Sequence, residues 1–295
     1  MKIKFSKLSV PKQTKHELAF AFAIGVSLSL SACSSLPRYT VRQMGDQLGK
    51  ITSSKFSSPT PSSDAVLNSK TNGQIKKSLI RLTNASSPGP SENYYWKVGK
   101  AQDLKSAQKL STGSVNFTTD ALGRSSVATA KLTRSMWIAS KGSRQGTPLL
   151  PANNAWPKYN PKVAIFFSMT GRTYHGYMYN RSHSIADSLA GKDSYKSAAN
   201  FTAGTRSQNV GADMHGGMRK PEETVENYWQ SHANPSSYVL YKVTPVYSGI
   251  ELIPRGSIVD VLSSDKKINE RFVVINSAEG YKVNYLNGTV SKVSK

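Results

Sequence analysis

The apolar residues of this chain are unevenly placed, and that imbalance decides where a core can form. From Ser34 to about Pro90 the sequence is rich in Ser, Thr, Pro and Lys, most clearly in SSKFSSPTPSSDAVLNSKTNG (residues 53–73). It has too few apolar residues in register to bury a core. Strand-forming runs begin at NYYWKVG (residues 93–99). Cys33 is the only cysteine, so no intrachain disulfide is possible. Residues 33–90 are therefore expected to be a tether, with a short helix around residues 74–82. Residues 91–295 are expected to form one domain of about 200 residues, long enough for a sizeable core.

The first 32 residues read as a targeting segment. Five lysines precede LAFAFAIGVSLSL (residues 18–30), and LSAC (residues 30–33) follows at once. The apolar run is short for a membrane span. Cys33 after Leu-Ser-Ala fits the lipobox of a bacterial lipoprotein, so Cys33 is the expected lipidation site. The expected location is the extracellular face of the cell membrane, or secretion.

The chain carries 39 Lys+Arg against 17 Asp+Glu. Removing the first 32 residues takes five lysines and Glu17, leaving about +18 of the formal +22. Such an excess attracts polyanions: nucleic acid, anionic headgroups or acidic wall polymer.

Strand candidates are GSVNFTT (113–119), SSVATAKLT (125–133), KVAIFFSMT (162–170) and HGYMYN (175–180), the last two joined by a GRTY hairpin connection. KPEETVENYWQSHA (220–233) reads as a helix, with Pro221 and acidic residues in its first turn. Four further β-rich segments up to residue 292 read as an antiparallel meander. The fold class is α+β, a mostly antiparallel sheet interrupted by a loop-and-helix stretch that carries the polar residues.

After the targeting segment only His175, His183, His215 and His232 remain. There is no HExxH, Walker loop, GxGxxG, GxSxG or Cys/His zinc spacing. His183 follows Arg181 at a strand end, in YNRSHSIADSLAG (179–191). Asn200 and Asn209 bracket Arg206 in NFTAGTRSQN (200–209), and Glu222 opens the helix. A histidine, two asparagines and an acidic helix start, in that order, suit a one-metal site for phosphodiester cleavage. A hard cation such as Mg²⁺ takes amide and carboxylate oxygens and keeps several waters, so few protein acids are needed. A neutral imidazole can deprotonate the attacking water. Arg206 and Arg124 read either as clamps on the phosphate or as solvated positive surface. His215 reads as exposed, His175 and His232 as structural, and Tyr94, Tyr95 and Trp96 as core sealing the domain edge.

YNRSHSIADSLAG, NFTAGTRSQNVG, GGMRKPEETVENY and YKVTPVYSGIELIPRGSIVDV, with DALGR (120–124) upstream, together resemble the DNA/RNA non-specific endonucleases of the DNA-entry nuclease type, within the ββα-metal nucleases. The likeness runs over roughly residues 116–291 in the right order. It implies a ββα-metal core, with His183 as general base, Asn209 as the direct ligand of a single Mg²⁺ (or Mn²⁺), and Glu222 holding metal-bound water. It also implies active-site roles for Arg181 and Asn200. Asn180 and Ser182 depart from the family's frequent Asp and Gly. The longer segment before Glu222 leaves Glu223 and Glu226 as competitors for its role.

The expected function is thus an exported, Mg²⁺-dependent endonuclease cutting DNA and RNA without sequence preference, membrane-anchored through Cys33 and needing no obligate protein partner. The alternative is a non-catalytic envelope protein that binds nucleic acid or acidic wall polymer.

Overall fold

A computed structural model describes residues 71–141, 147–231 and 234–294. The targeting segment, Cys33, His232 and most of the expected tether lie outside the described residues.

The folded part begins earlier than the sequence suggests. Helix α1 (Asn72–Asn84) opens with a capping box, in which the Thr71 hydroxyl accepts from Gln74 N and the Gln74 side chain accepts from Thr71 N. Ile75, Leu79 and Leu82, spaced i, i+4, i+7, are buried in the core with Trp96, Ile258 and Ile275. Arg255 donates to Thr83 Oγ1 at 2.9 Å and Arg271 to Asn72 Oδ1 at 2.5 Å, tying both ends of α1 to the sheet. The tether expected up to residue 90 is therefore corrected: residues 72–84 belong to the domain. The core-facing stripe was hidden among Ser, Lys and Asn.

Strands β1 (Tyr95–Gly99), β2 (Ser114–Thr119), β3 (Ser125–Thr133), β8 (Tyr238–Val246), β9 (Gly256–Ser263) and β10 (Asn269–Ile275) form one antiparallel sheet in the order β1-β10-β9-β8-β3-β2. The expected meander is β8-β9-β10. Both faces are covered. Ile258, Val273 and Ile275 face α1, while Val259, Val261, Phe272 and Val274 face the other cluster. With both faces covered, β9 and β10 are buried at nearly every position, where alternating burial would leave one face to solvent. The second cluster includes Trp137 of α3 (Arg134–Ser140) and Val225, Tyr228 and Trp229 of α6 (Arg219–Ser231). Helix α2 (Lys105–Gln108) is a single turn.

Three two-stranded ribbons flank the sheet: β4 (Lys162–Phe167) with β5 (Arg172–Tyr177), β6 (Tyr179–His183) with β7 (Phe201–Thr205), and β11 (Tyr281–Val283) with β12 (Val290–Lys292). HGYMYN is thus not one strand. Met178 is fully buried, its N–H donates to Pro161 O, and its carbonyl accepts from Arg206 N, both at 2.8 Å. With its backbone so engaged, the chain changes partner there. His183 accordingly ends β6, not the hairpin strand. GYKVNYLNGTVSK forms its own ribbon instead of extending the meander.

Candidate active site

His183 is placed by two neighbours. In the β6–β7 register it stands opposite Phe201, with ring centroids 4.8 Å apart; Tyr195 meets the imidazole edge-on at 5.6 Å. The loop that follows is braced by Asn200, which is fully buried. Its Oδ1 accepts from Ile185 N at 2.8 Å, and its Nδ2 donates to Ile185 O at 2.9 Å and Ser194 O at 2.8 Å. Its carbonyl accepts from Ser184 N at 2.8 Å. Each polar group of the Asn200 amide bonds to backbone, so this residue positions the histidine loop.

Helices α5 (Arg206–Val210) and α6 follow β7. Thr205 caps α5, its hydroxyl accepting from Gln208 N and donating to Ser277 O. Gly204 lets α5 lie close: a Cβ there would collide with Gln208 Oε1 and Ser182. Asn209 on α5 is half-buried, and no hydrogen bond to another described residue engages its amide. The link from α5 to α6 is pinned by Asn93, more than a hundred residues upstream. Asn93 Oδ1 accepts from Ala212 N at 2.8 Å, and its carbonyl accepts from Gly217 N at 2.9 Å.

On α6 Arg219 sorts the three glutamates. It donates to both oxygens of Glu226, at 2.7 and 2.5 Å, and lies 3.3 Å from Glu223, whose Oε1 also meets His215 Nδ1 at 2.7 Å. Glu222 has one contact to Arg219, at 3.3 Å, and its side chain is only 13% exposed. Burial pushes the Glu222 carboxyl up to about 8; Arg219 pulls it down, while Glu226 and Asp187 push it up further. Asp187 opens α4 (Asp187–Ala190) and accepts from the Tyr195 hydroxyl at 3.0 Å. Contacts thus run from His183 through Tyr195 to Asp187, whose charge is felt at Glu222.

Among the described residues no group of three or more His, Cys, Asp or Glu gathers as a metal cage. The available donors, an uncommitted amide oxygen on Asn209 and the sparingly paired carboxyl of Glu222, whose ionised form a nearby cation would favour, suit a hard divalent ion that keeps most of its water.

The sequence profile of the DNA/RNA non-specific endonucleases matches residues 105–265, more than half of the chain. The chain belongs to this family. A deoxyribonuclease of Streptococcus dysgalactiae subsp. equisimilis is 31% identical over 227 aligned residues, 68% of each chain. The solved structure of Sda1 nuclease with bound zinc ion is 31% identical, covers 69% of this chain and 97% of its own, and superposes with a TM-score of 0.58. NucA from Streptococcus agalactiae with magnesium ion bound shares the fold at 21% identity and a TM-score of 0.53, covering 68% of this chain and 88% of its own. The protein is a metal-dependent endonuclease whose substrate is nucleic acid, not a non-catalytic envelope protein.

Two of the endonuclease's expected site residues, Arg124 and Asn200, are buried and bonded within the protein. Arg124 is buried: Nε and Nη2 meet Asp120 Oδ2 at 2.7 and 2.6 Å, and Nη1 donates to Gly249 O at 2.9 Å and Glu251 O at 2.5 Å. Its guanidinium also stacks 4.1 Å from the Tyr247 ring centre. It therefore closes the DALGR turn, with Nε, Nη1 and Nη2 all engaged inside the protein. Asn200 braces the histidine loop from a fully buried position. Arg206 remains available, its guanidinium resting over Tyr174 at 5.3 Å with no carboxylate partner among the described residues. Arg181 is exposed, 5.8 Å from the Trp156 ring centre. Tyr94 and Trp96 are core, as expected; His175 is exposed and not structural.

The sequence reading missed Asp187, Tyr195, Arg219 and Asn93. Arg219 was findable, since it stands i, i+3, i+4 and i+7 to itself and the three glutamates on one helix face. The tie from Asn93 to residues 212–217 leaves no local signal.

Proposed function

We infer that this endonuclease hydrolyses DNA and RNA phosphodiesters with Mg²⁺ as its ion, Mn²⁺ substituting, and leaves 5′-phosphate ends. Asn209 would hold the ion directly and Glu222 would hold its water. A bound divalent ion there supplies positive charge to the leaving oxygen. His183 accepts the proton of the attacking water at an imidazole nitrogen, held in place by Phe201, Tyr195 and the loop that Asn200 braces. Arg206 neutralises charge on the phosphate, and Arg181, exposed on the same strand as His183, steers the backbone.

The observation that carries this reading is the division of labour on α6. Glu226 is consumed by Arg219 and Glu223 by Arg219 and His215, which leaves Glu222 as the carboxylate with capacity for a hydrated ion. The chain is exported and held at the outer face of the membrane by lipid on Cys33.

Supercoiled plasmid incubated with the full chain tests the catalytic reading. Nicking and linearisation are expected with Mg²⁺ or Mn²⁺, none with excess EDTA, and the new 5′ ends should label by kinase only after phosphatase treatment. Cleavage that persists in EDTA would refute it. The anchor is tested by labelled fatty-acid incorporation, expected for the intact chain and lost in Cys33→Ala; incorporation into that variant would refute it.

A further inference from the structure

The ribbon that leads into the catalytic strand carries an outward face which the chemistry above does not use. Directly opposed residues of an antiparallel pair share a face, so Lys162 with Tyr177, Ala164 with His175, and Phe166 with Thr173 form one surface. Phe166 is 56% exposed and Tyr177 53%. The opposite face is held inward by Ile165 and Phe167. Tyr281 extends the outward surface: its hydroxyl accepts from Ala164 N at 3.1 Å and donates to Ala164 O at 3.2 Å, joining the β11–β12 ribbon edge to β4.

Two clefts share Ala164 and Tyr281. One, of about 660 Å³, is lined by Phe166 and Lys292 as well; the other, of about 510 Å³, by Lys162 and His175. The acid in the larger cleft, Glu279, is engaged by Ser168 and by the Tyr94 hydroxyl at 3.1 Å. Exposed aromatic rings flanked by lysines, in a chain of formal charge +22, complement a polyanion with open base faces. A duplex hides those faces, and a second copy of the chain brings the same positive charge.

We propose that this ribbon surface is an accessory site for single-stranded nucleic acid, with bases stacking on Phe166 and Tyr177 and phosphates paired with Lys162 and Lys292. It rests on the reading of the protein as a nuclease acting on nucleic acid. The two rings stand four residues apart along the ribbon, Phe166 opposite Thr173 and Tyr177 opposite Lys162, so they would meet bases separated along one strand, with Lys162 5.7 Å from the Tyr177 ring centre. The ribbon also borders the catalytic elements: one residue, Met178, separates Tyr177 from the strand of His183, and Arg206 of α5 packs on Tyr174 from its other face.

Fluorescence anisotropy of a labelled 20-nucleotide oligothymidine with the full chain in EDTA reads binding without cleavage. The double variant Phe166→Ala, Tyr177→Ala is expected to bind at least about tenfold more weakly, as loss of aromatic stacking predicts. The conservative pair Phe166→Tyr, Tyr177→Phe should retain affinity. Circular dichroism checks that both variants fold; if the alanine pair does not, Lys162→Glu with Lys292→Glu serves instead, with the same expected loss. Unchanged affinity in the folded variants would overturn the proposal. So would light scattering that shows a wild-type dimer dissociated by the alanine pair. Plasmid cleavage by the wild type in Mg²⁺, run alongside, reports separately on the nuclease reading.

Discussion

Single side chains in this nuclease divide into those that hold the site and those that face it. Arg124 holds: Arg124→Ala should cost about 3 kcal/mol, because it strands the Asp120 carboxylate and two backbone carbonyls. Urea unfolding checks this. Asp120 also sets an acid limit. Burial pushes its carboxyl up, but hydrogen bonds from the Arg124 side chain and from the backbone of Arg124 and Leu122 outweigh that and hold it below the usual range. The stability from the pair is therefore present above the ordinary aspartate value of about 3.9 and lost as pH falls through the lower folded value. Asp120→Asn should flatten the fall in melting temperature below about pH 4 relative to the wild type. On α6, Glu226→Gln should lower stability by breaking the two-oxygen contact with Arg219, whereas Glu222→Gln should raise the Mg²⁺ concentration needed for half-maximal cleavage and leave the melting temperature nearly unchanged. The reverse pattern would assign the water-holding role to Glu226.

Among the elements, α1 gives the sharpest prediction. Its three buried aliphatics, Ile75, Leu79 and Leu82, contribute on the order of 5 kcal/mol by apolar burial, comparable with the whole stability of an ordinary domain. A chain starting at residue 71 should unfold cooperatively. One starting at residue 91 should melt far lower or aggregate, and equal melting temperatures would show that α1 is dispensable. The same elements show what the sequence could reveal. The β8–β10 meander and α6 were readable because their apolar patterns and turn signals are local. The family was readable as consecutive motifs, and its profile matches residues 105–265. The early start of the domain was not, since the stripe on α1 is interleaved with polar residues and becomes core only against Trp96 and Ile275. Nor was the break at Met178, which depends on hydrogen bonds to Pro161 and Arg206. Nor was the burial of Asn200, because polarity is visible in a sequence and burial is not.

The whole molecule carries its charge as a property of function rather than of fold. With 39 basic against 17 acidic residues, most affinity for nucleic acid should come from phosphate contacts and counterion release. Binding to duplex DNA in EDTA is expected to weaken about a thousandfold between 50 and 200 mM salt if some six phosphates are engaged; a shallow salt dependence would mean that the charge lies elsewhere. The central claim is that His183 removes the proton of the attacking water. Its most direct measurement is the single-turnover rate of plasmid cleavage by His183→Ala in saturating Mg²⁺, with and without added imidazole. The rate should fall by a factor of about 10² to 10⁴ and recover in part with imidazole, in a variant that melts like the wild type. A rate within tenfold of the wild type, indifferent to imidazole, would contradict it.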